Sequence, residues 1–207
     1  VLSASHNPYA DNGIKFFGAD GFKLSDAAEL EIEQALEKPP AGSPVVGRVR
    51  AFHGALEDYL RALHERFADL DLSGRRIALD CANGSTYKAG PEIFRRLGAD
   101  VDVLADQPDG RNINEGCGST DPARLVESVV ESGADLGFAF DGDADRVVAV
   151  DRQGRVRDGD ELLSLAAWEL ERRGVLGGGV VVTVMSNYGF HVAMAEAGIE
   201  VATTPVG

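Results

Sequence analysis

The chain has 207 residues, 44% of them apolar, and a net charge of −14, enough for a sizeable core and one or two domains. The acidic excess argues against a nucleic-acid or anionic-membrane partner, since both need a basic face. It leaves open a phosphorylated small molecule, whose charge a local cation can meet.

Cys81 and Cys117 show neither metal-ligand spacing nor a disulfide framework, which points to a reducing cytoplasm. The longest apolar run, 180–184, is far too short to span a bilayer, and no signal peptide is legible. The chain opens on Val1 and closes on Thr204-Pro205-Val206-Gly207, which reads as an unfinished loop; an internal piece of a longer protein is expected. No oligomeric state can be read.

In chain order, Ser3-Ala4-Ser5-His6-Asn7-Pro8 and Asp11-Asn12-Gly13-Ile14-Lys15 gather a hydroxyl, an imidazole, an amide and a lysine around a tight turn. Residues 14–17 have strand character. Ser25 or Asp26 caps a helix running through Glu29, Ile32 and Leu36. The Pro/Gly-rich stretch 39–44 reads as a connector. Leu56, Tyr59, Leu60, Leu63 and Phe67 recur at helical spacing and predict a helix over 52–67.

A β-to-α alternation follows. Residues 77–81 read as a buried strand and Asn83-Gly84-Ser85 as its turn. Helix 89–97 is stopped by Gly98, strand 101–104 comes next, and helix 122–132 is stopped by Gly133. Strand 136–140 leads into Asp141-Gly142-Asp143-Ala144-Asp145-Arg146, and strand 147–150 resumes after it. This is an α/β layer with at least partly parallel strands, and the carboxylates lie at a strand end, where open α/β sheets usually hold ligands. The alternation then restarts: helix 161–173, strand 180–184, and helix 190–197 ended by Gly198.

The aspartates occupy alternate positions, and Gly142 and Ala144 are small enough to let the backbone fold them toward one point. Carboxylates so close repel, and a hard divalent cation such as magnesium relieves that cost. A calcium EF-hand would need Gly and Glu where Arg146 and Arg152 stand, so that reading fails. A solvated acidic turn is the plainer alternative; the flanking apolar strands weigh against it.

Ser5 alone is ordinary turn chemistry. Beside a cation and an acidic loop it fits phosphoryl transfer through a serine, with Lys15 as proton shuttle if nearby cations lower its value from the usual ~10.4. Lys15 is otherwise a surface charge. His6 either bonds a phosphate oxygen or pins the turn, with pinning favoured. His53, His64 and His191 read as structural or solvated. Residues 112–121 form either a plain loop or one shaped to fit against the site.

Together these stretches resemble the α-D-phosphohexomutase superfamily: 3–8 its phosphoserine loop and 141–146 its magnesium loop. Residues 3–17, Asp80-Cys81-Ala82-Asn83-Gly84, 112–121 and 183–187 are similar to its bacterial phosphoglucosamine mutase branch. The resemblance implies mixed sheets sandwiched by helices in repeated α/β domains, divided as 1–53 (later part of a first domain), 54–155 (a second) and 156–207 (start of a third). It implies a phosphoserine at Ser5. It implies Mg2+ held by Asp141, Asp143, Asp145 and a phosphoserine oxygen of Ser5. Lys15 is then the acid/base, and Arg146 follows the metal loop. The implied partner is a phosphosugar. The implied reaction interconverts glucosamine 6-phosphate and glucosamine 1-phosphate through a 1,6-bisphosphate, and its product would feed cell-wall synthesis. The alternatives are a phosphomannomutase/phosphoglucomutase acting on another hexose, and a non-catalytic metal- and phosphate-binding module.

Overall fold

The computed structural model describes residues 1–38, 42, 48 and 50–206. The connector expected over 39–44 falls, residue 42 apart, outside them. At the start, β1 (Leu2–Ser3) pairs antiparallel with β2 (Gly13–Ile14), Leu2 opposite Ile14 and Ser3 opposite Gly13. The strand is shorter than its apolar run: Phe17 makes only an isolated bridge to Lys23. Helix α1 (Asp26–Leu36) starts where expected, with the Ser25 hydroxyl accepting from the Ala28 N–H. Helix α2 (Ala55–Arg66) begins after Gly54 rather than at Phe52, because Gly54 takes a left-handed φ of 90°.

The middle of the chain holds β3 (Arg76–Asp80), α3 (Thr86–Arg96), β4 (Asp100–Leu104), α4 (Ala123–Ser132), β5 (Leu136–Phe140), β6 (Val147–Asp151) and β7 (Val156–Arg157). The strand order is β4-β3-β5-β6-β7. β3 runs parallel to β4 and β5, each joined through a helix; β5 and β6 are antiparallel because only the aspartate loop joins them. The short β7, paired with β6, was not expected from the sequence. α3 begins at Thr86, directly out of the Asn83-Gly84-Ser85 turn, and runs through Pro91.

Alternation along the strands divides the core. Ala78, Ala139 and Val150 pack on Leu125 and Val129 of α4. On the other face, Ile77, Leu79 and Cys81 pack with Phe94 of α3 and with Phe138 and Phe140. Helix α2 closes over α3 through Leu60, Ile93 and Leu97. These faces bury the sheet and leave its strand ends to carry loops.

The last part runs α5 (Gly159–Arg172), β8 (Val180–Thr183), α6 (Tyr188–Glu196) and β9 (Val201–Thr204). A capping box between Asp158 and Glu161 starts α5. β8 and β9 are parallel across α6, around a core of Ala167, Val182, Phe190, Met194 and Ile199. The stretch at Thr204 that reads as loop is thus the end of a strand. Among the described residues no helix is long and apolar enough to cross a membrane.

Candidate active site

The N-terminal hairpin positions the serine loop. Lys15 N–H donates to the Val1 carbonyl at 2.8 Å, and the Val1 backbone nitrogen donates to Lys15 O at 2.8 Å. Side chains two apart on a strand share a face, so this register sets Ser3 and Lys15 on one side. Both reach Asp143: Ser3 Oγ donates to Oδ1 at 2.5 Å and Lys15 Nζ to Oδ2 at 2.6 Å. Beyond Ser3 the chain turns sharply. Asn7 N–H closes on Ala4 O at 2.9 Å, and Ser5 N–H donates to Ser3 Oγ at 3.0 Å. Ser5 has a φ of 52°, uncommon without glycine and a form of strain that gathers at functional sites. Its Oγ lies 3.4 Å from His6 Nδ1.

The aspartate loop leaves β5 and is closed by Asp141 N–H on Arg146 O at 3.3 Å and Ala144 N–H on Asp141 O at 3.0 Å. Asp141 is fully buried. Its Oδ1 accepts from the Asp145 and Arg146 amides at 3.2 Å each, while Oδ2 is buried without a partner. Asp145 and Arg146 are exposed. Gly142 is the meeting point. Its N–H donates to Ser5 O at 3.1 Å and its carbonyl accepts from Ser85 N–H at 2.8 Å. A Cβ there would stand 2.6 Å from both Ser5 O and Ile113 Cδ1, and one on Gly84 would stand 2.6 Å from the Gly142 Cα. Neither position admits a side chain without displacing backbone.

Residues 112–121 form the loop shaped to the site. Asn114 Nδ2 donates to Ser5 O and Asn7 O, both at 2.8 Å, and its own N–H donates to Ala82 O at 2.9 Å. Asp80, wholly buried, accepts from Ala82 N–H at 2.9 Å and Gly118 N–H at 2.8 Å. Burial pushes its carboxyl up, and those two N–H groups oppose the shift. Ser119 N–H donates to Phe140 O at 2.8 Å, tying the loop to the strand that delivers the aspartates. Asp80 and Asn114 were not singled out as site residues from the sequence. Asp80 carried a usable signal, a carboxylate ending a buried strand; Asn114 carried none beyond its turn-rich surroundings.

Electrostatically, the hydrogen bond and charge of Asp143 raise Lys15 above the ordinary lysine value, the reverse of the depression a neighbouring cation would give. Burial alone would push the Asp143 carboxyl up, but the Lys15 and Ser3 bonds outweigh it and hold it below the usual range. The carboxylates do not converge on one point as the loop composition led us to expect. Among the described residues no three or more His, Cys, Asp or Glu side chains are gathered on a common point as they stand in this structure. The physical reason is that Asp143 is drawn to Lys15 and Ser3, while Asp145 faces solvent. A cation still suits the donor set: the buried Oδ2 of Asp141 has no donor to satisfy it, and Asp143 already takes a cation.

Ser3, Tyr9, Lys15, Gly84, Asp143 and Asp145 line a cleft of about 790 Å³; Ser5, His6, Asp141 and Arg146 are not among the residues of its wall. A second cleft of about 620 Å³, walled by Leu136, Phe138, Trp168 and Phe190 among others, holds none of these site groups. The arrangement brings a serine hydroxyl on a left-handed backbone, a protonated amine and acidic oxygens onto two adjoining loops, the ingredients of phosphoryl transfer.

Three models match in succession: phosphoglucomutase/phosphomannomutase alpha/beta/alpha domain I over residues 1–42, domain II over 57–154 and domain III over 158–207. A protein of Pelotomaculum thermopropionicum named phosphoglucosamine mutase is 52% identical over the whole chain, which covers 48% of it. One of the same name from Desulforudis audaxviator is 52% identical, with 47% of it covered. The chain thus spans about half the length of the curated relatives it matches. A solved phosphoglucomutase/phosphomannomutase family protein from Burkholderia thailandensis has the same fold over the full chain, with 44% of its own length covered (TM-score 0.75, 23% identity). The Paramecium phosphoprotein pp63/parafusin in its open form also covers the full chain, with 44% of its own length covered (TM-score 0.66, 20% identity). With matches running in order from the serine loop through the aspartate loop to β9, the chain belongs to the phosphoglucomutase/phosphomannomutase family.

Proposed function

We propose that this chain carries the serine and metal loops of a phosphoglucosamine mutase, with residues 1–53, 54–155 and 156–207 belonging to successive domains. The observation that carries the reading is the seating of one loop on the other. Ser3 and Asp143 are 140 positions apart yet hydrogen-bonded, and Ser5 O bonds Gly142 N–H beside them. The relatives named for that activity support the choice of sugar.

Ser5, phosphorylated on Oγ, is the proposed donor. Its O–P bond breaks as a bond forms from phosphorus to the 1-hydroxyl oxygen of glucosamine 6-phosphate, whose proton passes by way of Lys15 to the leaving Ser5 Oγ. The 1,6-bisphosphate turns in the cleft and returns its 6-phosphoryl to Ser5 Oγ, leaving glucosamine 1-phosphate. Lys15, protonated beside Asp143, is the proposed acid, and its neutral form the base. His6, whose Nδ1 lies 3.4 Å from Ser5 Oγ, and Arg146 at the loop's end are the proposed partners of phosphate oxygens. Asp141, Asp143 and Asp145, with a phosphoserine oxygen, are the proposed holders of Mg2+, which when bound offsets phosphoryl charge. The protein's own share is positioning and electrostatics. The free, buried Cys81 and Cys117 support a reducing, cytoplasmic setting.

A second reading, a phosphomannomutase or phosphoglucomutase acting on another hexose, is favoured by the names of the three domain models. Turnover of glucosamine, glucose and mannose phosphates by the full-length gene product separates the two. In that assay Ser5→Ala is expected to fall to background, and chelation to stop turnover until Mg2+ is restored. Undiminished turnover by Ser5→Ala would refute the proposal.

A further inference from the structure

We infer that Asn114 is the positioning residue that fixes the serine loop, and with it the Ser5 hydroxyl, against the aspartate loop. The inference rests on the mutase reading and adds to it a residue that never touches substrate. One amide nitrogen bridges two carbonyls on either side of His6, those of Ser5 and Asn7, at 2.8 Å each. The Ser5 carbonyl is the same one that takes the Gly142 N–H at 3.1 Å, so a single oxygen joins serine loop, aspartate loop and Asn114. The opposite end of the amide, Oδ1, is buried and without a partner. All of the side chain's polar contacts therefore come from Nδ2. Turning the amide over would set oxygen against two carbonyls, so its orientation is fixed by chemistry.

The base on which Asn114 stands is rigid for its own reasons. Its φ of 58° lies in the left-handed region that asparagine tolerates better than most residues. Its N–H is tied to Ala82 O at 2.9 Å, and the loop is pinned further along by Gly118 N–H on Asp80 and Ser119 N–H on Phe140 O. Its neighbour Ile113 presses on Gly142. The serine loop is held at its base by strands of only two residues each. Ser3 and Lys15 tie the hairpin's strands to Asp143, while the Ser5–Asn7 stretch beyond them is held by the Gly142 N–H and by Asn114. For the proposed reaction, a hydroxyl displaced by about an ångström can cost roughly a hundredfold in rate.

The test compares wild type, Asn114→Asp and Asn114→Gly in the full-length gene product. Asn114→Asp keeps the shape and tolerates the backbone but offers no donor, and sets a carboxylate against the two carbonyls. Asn114→Gly keeps the left-handed backbone and removes the bridge, which guards against failure of the first variant to fold. Three readouts are taken: thermal melting, kcat and KM separately, and the single-turnover rate at which Ser5 takes a phosphoryl group from glucosamine 1,6-bisphosphate, followed by mass spectrometry. The expected result is a folded variant with KM little changed, and with kcat and Ser5 phosphoryl uptake both lowered about 10- to 100-fold. Wild-type rates in a folded variant would overturn the inference. So would a loss that merely tracks the unfolded fraction. A wild type that takes up no phosphoryl group at Ser5 would instead remove the mutase reading, and this assignment with it.

Discussion

At the scale of single residues, the site is decided by what is absent as much as by what is present. Gly142 has Ser5 O and Ile113 Cδ1 each 2.6 Å from where a Cβ would stand. Gly142→Ala must therefore shift both the serine loop's backbone and Ile113, and overpacking of this kind costs about 1–3 kcal/mol. Thermal and urea denaturation are expected to register that loss, and turnover of the full-length protein to fall more steeply than stability does, because the displaced group is the proposed nucleophile's own backbone. A variant as stable and active as wild type would mean the two loops are not in contact. The glycine was legible in the sequence only as flexibility within an acidic turn; its close approach to a residue from the far end of the chain was not. Asn114 was similarly hidden, since its partners Ser5 and Asn7 are more than a hundred positions away.

At the scale of elements, strand ends carry the electrostatics. Asp151 ends β6 and takes the Arg155 and Gln153 amides as well as the Arg157 and Arg155 guanidiniums. Burial alone would push its carboxyl up; those donors overcome it and hold it well below the usual carboxylate range. A carboxylate depressed in the folded state contributes stability above its unfolded value, ~3.9, and loses it as pH falls through the folded value. Asp151→Asn should therefore be less stable than wild type at neutral pH, with the gap closing as acid is added; a gap independent of pH would contradict this. Burial also pushes the Cys81 thiol up to about 12 and that of Cys117 to about 11. Both should resist iodoacetamide at pH 8 in the native protein and react only as the middle sheet unfolds, as followed by alkylation across a urea series. Fast native labelling would show that the sheet's ends are open. Elements with strong local signals were read well: α1 from Ser25 and α4 from the stop at Gly133. β7 and β9 were not, because two residues carry no period and a strand ending beside Pro205 looks like a loop.

At the scale of the molecule, β-to-α alternation was enough to predict an α/β layer with at least partly parallel strands, and the observed order β4-β3-β5-β6-β7 realises it. The site was legible as two motifs. Their junction was not, because it depends on long-range register: Ser3 and Lys15 on one hairpin face, Asp143 on a loop of another part, and residues 112–119 between. Nor was the reversed effect on Lys15, which needed the position of Asp143. The account as a whole requires that Ser5 carry the phosphoryl group. The most direct measurement is peptide-resolved mass spectrometry of the full-length gene product after incubation with glucosamine 1,6-bisphosphate and Mg2+. The prediction is one phosphoryl group on Ser5, discharged when glucosamine 6-phosphate is added. A phosphoryl group on another residue, or none at all, would contradict it.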